Sequence, residues 1–413
     1  MYLSNALRFN IRDAIFYSLM VGFGEVYFSA YSLALGHSVF FAGMLTTAPL
    51  IFGGALQLLS PQIYHWIGSH KKIVVIGVLF QALCFAPLAI GAFFGKLSEP
   101  FLFITISLYW ALFLGLGPSW NVWQKSIIPE HIRTRFFSDR TMLMAVANFL
   151  AILLGGTILD HYKKFEHPLT GFAILFLVSG FFRLCSVHYL KRQPEERDPT
   201  PLGSINKKEL FAIFSSHKMG KTLLFILIFR FAVFVSAPYF GTYMLKVMKL
   251  DYFSFTIIVL SSVLGRVVIM RILKHSLTKH NTHRFLFLSV VLIAMNPFLW
   301  TLTQKLSFIM PIEFISGVCW GIFDLTFFLL TFNEISKERQ PVILSTYNFI
   351  NTIVMGVGTF IGGTILNAFG NSYHGNMTLF LISSCARAAA ILAFPGFLLK
   401  LQEVKKAGLL RPL

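Results

Sequence analysis

Six ionisable side chains stand well inside long apolar stretches of this sequence: Glu25, Arg183, Arg230, Arg266, Asp324 and Arg387. A charge carried into hydrocarbon costs ~2.5–3.5 kcal/mol on insertion scales, so such residues persist where they are paired, hydrated or used. A carboxyl in that setting can bind a proton or a cationic group, and a guanidinium can be its counter-charge or grip an anion. Glu25 and Asp324 are therefore candidates for ion coupling or for holding a cationic group. Arg230 is the candidate counter-charge or anion ligand.

Spacing gives the two acids faces of their own. Ser18, Gly22, Glu25, Ser29, Ser32 and Gly36 step by four and three residues, the repeat of one helix face, and Glu313, Gly317, Trp320, Asp324 and Thr331 form a second such stripe. A small and polar stripe that carries an acid points to the wall of a wet cavity. Ser29, Trp110, Asn121, Tyr239 and Trp320 are the candidates to line it. Trp110 and Trp320 lie deep enough to stack on a ligand, whereas Trp123 and Tyr243 fall where aromatic side chains anchor a helix at a membrane surface.

Other chemistries have little in the sequence to support them. The histidines scatter, as at His65 and His70 and at His275, His280 and His283, and no H-E-x-x-H or G-x-x-x-x-G-K-[ST] motif is present. The sequence is thus not that of an enzyme, and no metal or cofactor is expected. Cys84, Cys185, Cys319 and Cys385 all fall in apolar stretches and read as small buried side chains rather than disulfide partners.

The elements that must position these residues follow from composition. With 56% apolar, 16% aromatic and 13% charged residues, the chain of 413 is not a water-soluble domain. Runs without Asp, Glu, Lys or Arg cover 73–95, 100–124, 141–159, 285–304 and 340–386. Roughly 20 apolar residues suffice to cross about 30 Å of hydrocarbon. Twelve spanning helices are expected, the first near 13–36 and the last near 376–399. The first is expected to stay in the membrane rather than be cleaved as a signal peptide.

Orientation comes from the 35 Lys and Arg. Apart from the four in spans, those on one side are confined to Lys96, Lys163, Lys164, Lys246, Lys249 and Lys305, and all the others fall on the side that holds both termini. The positive-inside rule makes that side cytosolic. The net charge of +18 is then a topology signal with anionic lipid as its contact, and no nucleic-acid partner is implied.

The sequence also repeats itself. "GGTIL" stands at 155–159 and again at 362–366, half the chain apart, at equivalent points of the fifth and eleventh expected spans. Six spans separate the copies, so the halves are parallel repeats. The glycines Gly155, Gly156, Gly362 and Gly363 suit close and sliding helix packing. Between the halves lies the one long polar segment, 191–218, which starts Pro-rich and becomes amphipathic from Ser204. The domains expected are thus 1–190, a linker over 191–218 and 219–413.

Six plus six spans, a cytosolic linker and cytosolic termini resemble the major facilitator superfamily of secondary transporters, in the manner of its bacterial permeases. The loop "PQIYHWIGSHKK" at 61–72 keeps the superfamily's Gly68, Lys71 and Lys72, with Pro61 and His65 in place of its first Gly and its acid. "AILLGG" and "GTFIGG" are similar to the glycine-rich end of its fifth-helix motif without the proline, and "PEHIRTRFFSDR" at 129–140 resembles the cytosolic turn of many bacterial permeases. The resemblance implies an all-α membrane protein of 12 transmembrane helices in two pseudo-symmetric six-helix bundles. It implies that helices 1, 4, 7 and 10 line a central cavity, which places Glu25, Arg230 and Asp324 on lining helices, and that Arg133, Arg135 and Arg140 are candidates for a cytosolic latch.

The function implied is secondary active transport of a small, amphipathic or charged solute across the cytoplasmic (inner) membrane by alternating access, with protons as the candidate coupling ion. The partners expected are that solute, protons and membrane lipids, with the chain acting as a monomer. An uncoupled facilitator, an exporter of lipid or siderophore type, and a non-transporting receptor of the same fold are the alternatives.

Overall fold

The computed structural model describes residues 2–195, 218–273, 282–334, 340–392 and 394. The expected amphipathic helix of the linker, and His275 and His280, lie outside these residues. Among the described residues the chain is helical throughout and contains no strand. The helices are α1 (Tyr2–Phe23), α2 (Phe28–Ala34), α3 (Val39–Met44), α4 (Ala48–Leu58), α5 (Ser60–Ile67), α6 (His70–Leu83), α7 (Phe85–Phe94), α8 (Glu99–Ile127), α9 (Glu130–Lys164) and α10 (Pro168–Arg192). They continue with α11 (Lys218–Phe234), α12 (Tyr239–Thr242), α13 (Tyr252–Leu273), α14 (Thr282–Thr301), α15 (Leu306–Glu334), α16 (Gln340–Phe369) and α17 (Tyr373–Ile391). Ten stretches among the described residues are long and apolar enough to cross a membrane. The interrupted pair α1–α2 and the polar-lined α17 are the two further helices that the sequence counted as spans.

The first helix begins at Tyr2, well before residue 13, and it is not continuous. At Glu25–Tyr27 the backbone tightens to a 3-10 turn, with Gly24 at its start. Close packing explains the glycine: a Cβ there would lie 2.6 Å from the Phe85 ring and 2.7 Å from Ser179 Oγ. The second half breaks its first helix too, between Phe234 and Tyr239, where Pro238 has no N–H to give. Gly68 ends α5 in the left-handed conformation, φ 68°, and Ser69 caps α6 by accepting from the Lys72 N–H. Of the superfamily loop's residues, Gly68 is the one that turn requires.

The backbone groups into two compact units, Met1–Gly203 with Pro238–Leu260, and Ser204–Ala237 with Ser261–Leu413. In the first unit α1 packs on α9 and α10, and α8 on α4 and α6; in the second α11 packs on α16 and α17, and α14 on α15 and α17. The first helix of each half is therefore held by the fifth and sixth of the same half. Pro238–Leu260 joins the first unit through Tyr27, whose hydroxyl donates to Ile152 O at 2.7 Å and lies 3.3 Å from Thr256 Oγ1, and through Gly156, against which Thr256 is packed.

Candidate functional site

In the first unit Glu25 sits at the break between α1 and α2. Its carboxylate accepts one hydrogen bond, from Tyr109 Oη of α8 at 2.7 Å, and the Tyr109 ring is boxed edge-on by Phe28 at 5.2 Å and Phe85 at 5.6 Å. A broken helix can free backbone groups at membrane depth, and an acid at such a break is chemically able to hold an ion or a ligand group. Ser29, one turn on, donates to Ala42 O at 3.1 Å. Trp110 is half-buried between the rings of Tyr109 and Phe113, each at 5.6 Å. Asn121 is exposed, and Tyr239 is buried with its ring against Gly43.

Below Glu25 the structure holds a polar network. Asp13 accepts from Ser186 Oγ at 2.6 Å and faces Arg140 at 3.8 Å; Arg140 donates to Asn10 at 2.8 Å and stacks over Trp120 at 4.9 Å. Asn10 bonds Gln124, and Gln124 donates to Gln193 at 3.2 Å. Arg183 donates to Gln81 and to Ser186 and lies 5.0 Å over the Tyr17 ring. Its charge acts on Asp13 and Glu25 alike. All these polar residues are buried, which is tolerable only because each finds partners. Glu195 accepts from Ser69 Oγ and the Lys71 N–H, so it sits on the N-terminus of α6, where an anion is stabilised.

The three latch candidates have different surroundings. Arg140 belongs to the buried network. Arg133 donates to the carbonyls of Lys125 and Ile128 at 3.1–3.3 Å and so caps the end of α8, and Arg135 is exposed. Gly155 packs against the Tyr27 ring, and Gly362 and Gly363 are buried.

In the second unit Arg230 of α11 lies over two rings of α15, 5.8 Å from the centre of Trp320 and 5.5 Å from that of Phe323. Tyr347 of α16 is its neighbour. Arg230 Nε and the Tyr347 hydroxyl are both buried and make no well-formed hydrogen bond among the described residues, although the guanidinium lies close enough to act on the hydroxyl. Two such donors side by side, one cationic, suit an acceptor group of a ligand. Asp324 does not pair with Arg230. Its carboxylate is 3.5 Å from Arg266 of α13, and both side chains are partly open.

Arg387, which has no acidic partner in its own sequence neighbourhood, proves to be a stitch. It donates to Ile293 O at 2.9 Å and to Val233 O at 3.1 Å, and to Ser236 and Ser383. Ile293 is four residues before Pro297 in α14, so its carbonyl has no helical donor. Thr359 Oγ1 points at Phe234 O, the carbonyl that Pro238 leaves open, at 3.4 Å. The signal for this arrangement was in the sequence and is easily overlooked: Ser-x-x-x-Arg occurs at 179–183 and at 383–387, on the sixth helix of each half. In both, the serine lies against the break of the first helix: Ser179 at Gly24, and Ser383 donating to Ala232 O at 2.8 Å.

The profile described as Major Facilitator Superfamily matches residues 14–359. A point mutant of the nucleoside transporter NupG superposes with a TM-score of 0.75 at 14% identity, covering 95% of this chain and 99% of that one. A D-xylose-proton symporter gives 0.73 at 11% identity over 95% and 98% of the two chains. A POT family transporter in complex with 5-aminolevulinic acid gives 0.64 at 14% identity over 96% of each. At such identities the likeness is one of fold. No curated protein matches the sequence.

Proposed function

The chain belongs to the major facilitator superfamily, and on that premise we propose that it is a secondary active transporter, carrying a small charged or amphipathic solute across the cytoplasmic membrane by alternating access with protons as the coupling ion. The observation that carries the coupling is Glu25, a carboxylate at a break in α1–α2 whose hydrogen bond is a single one from Tyr109 Oη at 2.7 Å. A carboxyl so placed can exchange a proton without dismantling an ion pair. Asp324, committed to Arg266, is the lesser candidate.

Arg230, Tyr347 and the face of Trp320 are the proposed seat of an acceptor or anionic group of the solute, supported by the two buried donors side by side there. Ser29, Trp110, Asn121 and Tyr239 remain proposed cavity residues, with Arg133 and Arg135 proposed for the cytosolic latch. We further assign both termini to the cytosol on the distribution of Lys and Arg, and take the working unit to be the monomer.

Uptake into proteoliposomes under an imposed pH gradient tests the reading. Nucleosides, D-xylose and the zwitterion 5-aminolevulinic acid, named with the structural neighbours, are the first probes. Gradient-driven flux is expected in the wild type and lost in Glu25→Gln, and Arg230→Gln is expected to weaken solute binding. A Glu25→Gln protein with full gradient-driven flux refutes the coupling role. Flux that ignores the gradient in the wild type makes the chain an uncoupled facilitator, and binding without flux makes it a receptor.

A further inference from the structure

Glu313 is the half-buried acid in the second unit that this reading leaves idle. It stands near the start of α15, and its Oε1 accepts from Trp300 Nε1 at 2.9 Å and from Asn296 Nδ2 at 3.4 Å, both on α14. Among the described residues Oε2 accepts nothing and no cation lies within ion-pair distance. The charged group facing it is Arg387 of α17, which acts on it through space while its own donors go to Ile293, Val233, Ser236 and Ser383. From α13 the nearest charge, Arg266, is turned to Asp324, and from α11 Arg230 is turned to Trp320 and Phe323.

The repeat gives this position a counterpart. The shift that carries Arg183 onto Arg387, three residues shorter than the one that overlays the GGTIL copies, also carries Tyr109 onto Glu313. In each half, then, the fourth helix and the sixth-helix arginine frame one half-buried carboxyl held by an aromatic donor: Glu25 by Tyr109 Oη in the first, Glu313 by Trp300 Nε1 in the second.

Asn296 adds an independent sign. Its Nδ2 donates to Glu313 and to Ser316 Oγ at 3.0 Å, but its Oδ1 is buried and has no donor. A half-turn of the amide would bring Oδ1 to the carboxyl, and only a protonated Glu313 could then donate to it. In the observed orientation Asn296 Oδ1 is left without a donor, and the turned amide would answer it only when Glu313 carries a proton, so the amide orientation follows the proton.

We propose that Glu313 is a second proton-binding carboxyl of this transporter, the counterpart in the second half of Glu25. It rests on the reading of Glu25 as a proton-coupling group. The chemistry is proton transfer alone: water on one side of the membrane supplies a proton to a Glu313 oxygen, and water on the other removes it.

The test needs no solute. Infrared difference spectra of the purified full chain, recorded between acid and alkaline pH, report protonated carboxyls by their C=O stretch. Two such carboxyl bands are expected in the wild type, one lost in Glu313→Gln, the other in Glu25→Gln, and neither in Asp324→Asn. If Glu313→Gln does not fold, Trp300→Phe deletes the 2.9 Å hydrogen bond and keeps the carboxyl, so the Glu313 band is expected to move to higher frequency. A Glu313→Gln spectrum identical to the wild type, or an unmoved band in Trp300→Phe, overturns the proposal. If Glu25→Gln removes its band and Glu313→Gln does not, the proposal fails and the coupling reading stands; if neither does, both fail.

Discussion

At the scale of single residues, what separates the charged side chains is how fully each is answered. Arg387 is answered completely, by two backbone carbonyls and two hydroxyls, so its role is to close the hydrogen bond that Pro297 leaves open at Ile293 O and to tie α17 to the end of α11. Arg387→Met should leave Ile293 O without a donor in an apolar setting, at about 1–3 kcal/mol per orphaned group. The expected result is a lower thermal midpoint in detergent, whatever the pH. Glu25 is answered by one phenol, and Tyr109→Phe should remove that bond while keeping the ring, so gradient-driven uptake should change with little loss of stability. Asp251, outside the spans, shows the opposite case. Burial works to raise its carboxyl, but the Ser254 amide at 2.7 Å and hydroxyl at 3.0 Å outweigh that and hold it below the ordinary aspartate range. A group depressed on folding contributes stability at pH values above its unfolded value, near 4, and loses it as pH falls through the folded one. Asp251→Ala should therefore lower the midpoint at neutral pH by a cap's worth, ~0.5–2 kcal/mol, with the gap to wild type closing only in acid well below pH 4.

At the scale of elements, each half holds its broken first helix against its fifth by removing side chains at the crossing, and the repeat exchanges which helix gives way. The shift that overlays the two GGTIL copies carries Ala151 onto Gly358 and Ile152 onto Thr359. In the first half the glycine is on the first helix: a Cβ on Gly22 would lie 2.5 Å from Ala151 Cβ and 2.8 Å from Asn148 O. In the second half it is on the fifth, where a Cβ on Gly358 would lie 2.7 Å from Phe231 O. Backbone oxygens cannot swing aside, so Gly22→Ala and Gly358→Ala should each lower the thermal midpoint, by about 1–3 kcal/mol of overpacking. Gly117→Ala is the control, since it has open space around its Cβ and a helix interior that favours alanine by ~1 kcal/mol; it should hold or raise the midpoint. Equal midpoints for all three variants would contradict the packing argument. The repeated pentapeptide announced this crossing in the sequence, because small residues in apolar runs are visible there. The break in α1 was not visible, since only the Phe85 and Ser179 contacts at Gly24 show why the helix stops there, whereas the break after α11 is marked by Pro238.

For the whole molecule, the sequence carried the architecture because the membrane leaves few choices: span length, loop charge and a repeat at mid-chain each follow from simple physics. Side-chain pairing did not come through, because partners are chosen over long separations. Asp13 finds Arg140, Arg183 finds Gln81, and Asp324 takes Arg266 rather than Arg230. The duplicated Ser-x-x-x-Arg nonetheless permits one prediction about the molecule as a pair of like units. Arg183 is bonded to Gln81 and Ser186, and Arg387 to Ile293, Val233, Ser236 and Ser383, with no partner in common. Free-energy losses at sites without shared partners add to within ~0.3–0.5 kcal/mol, whereas groups in one network do not. The double variant Arg183→Met with Arg387→Met should therefore lose the sum of the two single losses, measured by chemical unfolding in one detergent. Arg183→Met combined with Gln81→Leu should lose clearly less than its sum, because each change already breaks the same bond. If the first pair falls as far short of additivity as the second, each arginine does not serve its own bundle independently.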